Sequence, residues 1–175
     1  MIVHVLGAVL RADIAPGLVA CGAPEICQVV TAAKGTAVLT KADLPSGLDR
    51  VWQAVQSIDP HGRHNTIINL QGDLPTLAPD TLHAVTKVMD NPAFDIGTLV
   101  APITSEEEKT AQSVVKVACH FGPTTEAAPA LYFSRQSIPW GVGPLWHHIG
   151  AYGWRRTALA RFVQLPPSGL EKRES

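Results

Sequence analysis

Gln71 and Asp73 follow directly on an apolar run, in the stretch Thr66-Ile67-Ile68-Asn69-Leu70-Gln71-Gly72-Asp73-Leu74-Pro75. β-Branched and apolar residues that stop abruptly at a Gly-containing turn read as a buried parallel strand. The turn sets both polar side chains just beyond the strand's carboxyl end, the edge at which ligands bind in open α/β sheets. A carboxylate there can hold a divalent metal, and a neighbouring amide can hydrogen-bond a substrate. Asp after Gly is also an ordinary turn residue, so this stretch alone leaves both readings open.

A scattered polar set falls near other expected strand ends: Ser46-Gly47 with Arg50, then Arg135, His148 and Tyr152. It is mixed in charge and suits a hydroxylated, acidic small molecule. Arginine pairs with carboxylate or phosphate, and aspartate pairs with a metal. The doublet His147-His148 lies in an alternating segment, so its two members face opposite ways and at most one points into a site. His61 and His64 fall in a loop and read as solvated. The chain has neither G-x-G-x-x-G nor G-x-x-x-x-G-K-[ST], and no H-E-x-x-H. Zinc spacing and a Ser nucleophile elbow are also absent. Spacing alone therefore stops at a metal-dependent sugar or nucleotide site.

The elements that must position these residues alternate. The apolar segment 1–14 suits a helix or a strand, because periodicity does not decide so short a run. Residues 17–21 read as a strand, a helix opens at Pro24 and closes at Gly35, and 36–39 read as the next strand. That β-α-β unit predicts a parallel pair. Residues 40–50 read as a polar loop. A helix with Leu48, Val51, Trp52, Val55 and Ile58 on its apolar face follows, ended by Asp59-Pro60-His61-Gly62. Further helices are expected from Pro79 and Arg156, and strands at 96–100, 114–119, 131–135 and 147–154. The run Glu106-Glu107-Glu108-Lys109 reads as solvated surface. The pattern predicts one domain with a three-layer α/β fold and a mostly parallel sheet.

Composition agrees with a globular chain: 175 residues, 46% hydrophobic, 17% charged, net charge -1. Lys and Arg do not cluster, so a nucleic-acid or anionic-membrane surface is not indicated. Cys21, Cys27 and Cys119 form no C-x-x-C pair and suit a reducing compartment. Leu18-Val19-Ala20-Cys21 fits a lipoprotein cleavage box. No Lys or Arg precedes the apolar run, however, and Arg11, Asp13 and Pro16 interrupt it, so secretion and lipidation are not expected.

Five segments occur in a telling order: Pro45-Ser46-Gly47-Leu48-Asp49-Arg50, Asn69-Leu70-Gln71-Gly72-Asp73-Leu74-Pro75, Ala130-Leu131-Tyr132-Phe133-Ser134-Arg135, His147-His148-Ile149-Gly150-Ala151-Tyr152 and Leu165-Pro166-Pro167-Ser168-Gly169-Leu170-Glu171-Lys172. Together they resemble the 3-deoxy-manno-octulosonate cytidylyltransferase (CMP-Kdo synthetase) family, along the whole chain. The resemblance implies a Rossmann-like nucleotidyltransferase fold and a reaction in which CTP and Kdo give CMP-Kdo and pyrophosphate. The product would feed lipopolysaccharide synthesis in the bacterial cytoplasm. It implies a homodimer, and Mg²⁺ held by Asp73. Ser46, Gly47 and Arg50 would lie in the cytidine-binding loop, and Gln71, Arg135, His148, Tyr152 and Glu171 would line the sugar side.

The departures matter equally. The family's opening loop, P-A-R-x-x-S-x-R-x-P-x-K-P, has no counterpart here, and Met1-Ile2-Val3-His4-Val5 matches the segment after it. The resemblance therefore implies a member cut at both ends, lacking its first central strand. Gly22-Ala23 stands where the family has an acidic pair. Leu44 and Leu48 replace the His and Thr of H-x-S-G-T-D-R. A non-catalytic remnant and a CMP-sialate type transferase are the competing expectations.

Overall fold

The computed structural model describes residues 1–174. Two compact units emerge, one formed by Met1–Gly97 with Ala151–Leu165, the other by Thr98–Gly150 and the chain from Pro166 on.

In the first unit, helix α1 (Ile2–Ala12) settles the open reading of the amino terminus. Val5, Ala8 and Ala12 recur at helical spacing and are buried with Leu6, and α1 packs on α4 (Pro79–Met89). Strand β1 (Leu18–Cys21), helix α2 (Pro24–Ala32) and strand β2 (Thr36–Leu39) form the expected β-α-β unit. Its strands are parallel, with Leu18 opposite Thr36 and Cys21 opposite Leu39. Pro24 opens α2 without losing a needed N–H.

Helix α3 (Gly47–Ile58) leads to strand β3 (Thr66–Leu70), the apolar run read from sequence. The parallel neighbour expected for β3 is not what is found. β3 runs antiparallel to strand β7 (Trp146–Arg155), with Thr66 opposite Arg155 and Leu70 opposite Ala151. The apolar pattern reports burial and carries no sign of strand direction. Among the described residues β1 has only β2 as a strand partner, and β3 only β7. The sheets are thus mixed.

Helix α6 (Arg156–Phe162) follows β7 directly. Gly153 of β7 lies so close to Met89 that any Cβ would overlap its side chain. Arg155 donates to the carbonyls of Met89, Asn91 and Phe94, closing the carboxyl end of α4. Asp59, 5% exposed, is the C-cap of α3, where its backbone N–H donates to the Val55 carbonyl. It accepts from the N–H groups of Arg63 and His64, both at 2.9 Å, and pairs with Arg156 at 2.9 Å. Arg156 in turn lies over the Trp52 ring, 5.6 Å from its centroid.

In the second unit, residues 146–150 of β7 continue the strand. Antiparallel pairing joins β7 to β5 (Lys116–Ala118), and β5 to β6 (Tyr132–Ser134). β4 (Ile96–Pro102) also pairs with β7. The acidic run forms a short exposed helix, α5 (Glu106–Thr110), and α7 (Gly169–Glu174) closes the described chain.

Candidate functional site

The first cluster is built at the ends of β1 and β2. Thr40, just past β2, is buried, and both its N–H and its hydroxyl donate to the Cys21 carbonyl at 2.8 Å. Arg50 reaches this point from α3. Its Nη1 donates to Thr40 Oγ1 at 2.6 Å and to the Lys41 carbonyl at 2.9 Å, and its Nη2 to the Ala42 carbonyl at 3.4 Å. The Lys41 N–H donates to Gln53 Oε1 at 2.8 Å. Two side chains of one helix thus pin the loop that opens the nucleotide-binding segment inferred from sequence.

That loop is shorter than expected. Ser46 is the N-cap of α3, so Gly47 and Arg50 are helical rather than part of a loop running to residue 50. Ser46 Oγ accepts from the Asp49 N–H at 3.3 Å and donates to Asp49 Oδ2 at 2.6 Å. This Ser-x-x-Asp arrangement satisfies one helix-terminal donor, the Asp49 N–H, that would otherwise lack a partner. A Cβ on Gly47 would meet nothing within 4 Å, so the space beside the first turn is open.

Gln71 and Asp73 sit where the sequence puts them, exposed in the turn after Leu70 ends β3. Tyr152 lies on β7 directly opposite Asn69, so the two side chains share a sheet face. Burial pushes the Tyr152 hydroxyl pKa up, and its ring stands 6.4 Å from that of Trp154. Burial also pushes the Cys21 thiol up to about 11, with the adjacent Cys27 as a further cause. A thiol so raised is not a poised nucleophile.

The second unit holds the other three residues. His148 Nε2 lies 3.0 Å from Thr98 Oγ1, and the Phe133 ring meets the imidazole edge-on at 5.2 Å. Burial lowers the His148 pKa, and the neighbouring His147 lowers it further, so the ring is neutral at pH 7. Arg135 is exposed, and its Nη1 donates to the Gln112 carbonyl at 2.9 Å. Beneath it, Lys116 is fully buried and donates Nζ to the carbonyls of Ala111 at 2.6 Å and Arg135 at 3.2 Å. Glu171 stands in the first turn of α7, where it closes a capping box with Ser168. The Glu171 N–H donates to Ser168 Oγ at 3.0 Å, and the Ser168 N–H to Glu171 Oε2 at 3.2 Å.

Among the described residues, no group of three or more His, Cys, Asp and Glu is placed to hold a metal ion. No described helix is long and apolar enough to cross a membrane.

The sequence profile of the family described as cytidylyltransferase matches residues 1–175. The chain belongs to the cytidylyltransferase family. Relatives within the family are close. The 3-deoxy-manno-octulosonate cytidylyltransferase of Rhodospirillum centenum is 52% identical over 99% of this chain and 68% of its own length. The Parvibaculum lavamentivorans protein of the same name is 53% identical, over 99% and 67%. A solved structure of CMP:2-keto-3-deoxy-manno-octonic acid synthetase, complexed with CTP, superposes with a TM-score of 0.86. It is 35% identical and covers 99% of this chain and 70% of that one. The cytidylyltransferase fold, Rossmann-like with mixed sheets, is therefore the fold of this chain.

Sequence reasoning passed over Thr40, Thr98 and Lys116. Thr40 and Thr98 carry no motif. Lys116 falls inside the strand expected at 114–119, and a fully buried lysine has no sequence signature. Gly22, over which the Arg50 guanidinium lies, carries no local sign of that contact.

Proposed function

We propose that this cytidylyltransferase uses CTP to activate Kdo, giving CMP-Kdo and pyrophosphate. The observation that carries the reading is the 52% identity, over 99% of the chain, to a relative named for that reaction. The anomeric hydroxyl of the sugar attacks the α-phosphorus in line with the leaving pyrophosphate. One O–P bond forms, the bond to the β-phosphate bridge breaks, and the hydroxyl gives up its proton. Such a step is accelerated mainly by positioning and by neutralising charge.

This chain's own residues supply the positioning. Arg50, held by Thr40 and the carbonyls of Lys41 and Ala42, shapes the cytidine segment with Ser46 and Gly47. Gln71 offers an amide to the sugar from the end of β3, and Tyr152 adds a hydroxyl from the neighbouring strand. Arg135 brings a cation suited to the sugar carboxylate, and neutral His148 and Glu171 complete the sugar side.

A single exposed carboxylate fits Mg²⁺, which takes one or two protein carboxylates plus substrate phosphates rather than a protein cage. Asp73 is the residue that would hold it. When bound, the ion would neutralise phosphate charge and lower the pKa of the attacking hydroxyl.

A homodimer and a cytoplasmic location belong to the same reading. Sedimentation of the full chain tests the dimer: twice the mass of one chain supports it, and the mass of one chain refutes it.

The decisive assay is pyrophosphate release by this chain with CTP, Kdo and Mg²⁺, beside Asp73→Ala. Release that disappears in the variant supports the reading. Release with a sialic acid but not with Kdo replaces the sugar. No release from a folded chain assigns it the role of a non-catalytic member.

A further inference from the structure

We propose that Thr98 is a positioning residue that locks His148 as its neutral Nε2–H tautomer and so presents one hydrogen-bonding pattern to the sugar. The inference rests on the reading of His148 as a sugar-side residue and goes beyond it.

The argument starts from one proton. Thr98 Oγ1 lies 3.0 Å from His148 Nε2 and 3.3 Å from the Ile149 carbonyl oxygen. A hydroxyl has one hydrogen to donate, and a carbonyl oxygen only accepts. Both contacts are satisfied together in one way. Thr98 donates to Ile149 and turns a lone pair to Nε2, so Nε2 carries the hydrogen. A neutral imidazole has a single N–H, which leaves Nδ1 as the acceptor nitrogen.

The surroundings hold this arrangement. The His148 N–H donates to the Val115 carbonyl at 2.9 Å, fixing the backbone that carries the ring. Phe133 meets the imidazole at 79°, which limits rotation about the side-chain bonds. The ring is neutral because burial and His147 disfavour its cation. Thr98 itself lies inside β4, where β-branching restricts its own χ1 and keeps the hydroxyl aimed. Replacing the hydroxyl by a methyl would remove the tautomer bias while keeping the shape.

The test combines a spectroscopic readout with a binding one. Imidazole ¹⁵N–¹H correlation on the full chain, without ligand, reports which nitrogen carries hydrogen. The wild type is expected to show a pyrrole-type Nε2 and a pyridine-type Nδ1 at His148. Thr98→Val is expected to show a tautomer mixture, and Thr98→Ser to restore the wild-type pattern. In calorimetric titration Thr98→Val should bind Kdo about fivefold more weakly, the effect of one lost hydrogen bond, with CTP affinity unchanged. A wild-type His148 with hydrogen on Nδ1 overturns the proposal, and so does a Thr98→Val chain with unchanged tautomer or unchanged Kdo affinity. If Thr98→Val does not fold, the wild-type spectrum and Thr98→Ser still decide. If the wild type binds no Kdo, the functional reading falls, while the tautomer measurement separately decides what Thr98 does.

Discussion

The guanidinium of Arg50 fills the space above Gly22: a Cβ built on that glycine would lie 2.5 Å from Nη1 and 2.7 Å from Cζ. Arg50 therefore reaches Thr40 and the 41–42 carbonyls only because residue 22 has no side chain. Gly22→Ala should push the guanidinium aside. The obstructing atoms are the far end of a flexible side chain, so the cost to folding is expected to stay within about 1 kcal/mol. Binding should suffer more, with CTP affinity falling by about tenfold if Arg50 shapes the cytidine segment. Titration with CTP beside a thermal melt separates the two. Unchanged CTP affinity would detach Arg50 from the nucleotide.

Ser46 gives a cleaner separation of stability from binding. Its Oγ caps α3, and losing such a cap costs about 1 kcal/mol. Ser46→Ala should lower the denaturation midpoint by that amount, while Ser46→Asp, which keeps the acceptor, should recover much of it. If Ser46 also contacts nucleotide, Ser46→Asp will bind CTP worse than Ser46→Ala, because a carboxylate repels phosphate. Equal affinities in the two variants would leave Ser46 with the cap alone.

The parts of this fold that the sequence discloses are those written in periodicity and punctuation. Thr66 to Leu70, cut off by Gln-Gly-Asp, marks β3 and places Gln71 and Asp73 beyond it. The alternation from His147 to Trp154 marks β7, and Pro24 marks the start of α2. Strand direction was not legible, because an apolar run reports burial and the half-buried β3 reads the same whichever way its neighbour runs. The start of α3 is harder to place, because Ser-x-x-Asp, a cap here, has the composition of the polar loop before it. Partners far apart in the chain, such as Thr98 with His148 or Arg50 with Gly22, leave no local pattern at all.

Lys116 is the buried residue most open to test. Burial lowers its pKa, and its Nζ ties residue 111 to residue 135 through two carbonyls. Lys116→Ala removes the stem and both donors, and should cost about 2–4 kcal/mol from the cavity and the stranded carbonyls. Lys116→Met keeps most of the volume and should cost less, yet it still frees the segment that carries Arg135. The expected signature is a Met variant closer to wild type in stability than the Ala variant, with Kdo binding weakened in both. Chemical denaturation with Kdo titration of the two variants measures it. Wild-type Kdo affinity in Lys116→Met would show that Arg135 does not depend on this anchor.

Asp59 makes stability depend on acid. The N–H groups of His64 and Arg63, with the His64 ring and Arg156, hold its carboxyl well below the usual carboxylate range. A depressed carboxylate binds fewer protons in the folded chain than in the unfolded one. Its contribution is therefore complete above the ordinary aspartate value, near 4, and declines as pH falls through the lower folded value. Asp59→Asn keeps the shape but gives up the charge and one acceptor. The variant should melt below the wild type at pH 7, with the gap narrowing as the pH drops beneath about 4. Parallel melts across that range decide the matter. A gap that stays constant into acid would mean that Asp59 acts through shape and packing, and that its charge does not stabilise the junction between α3 and α6.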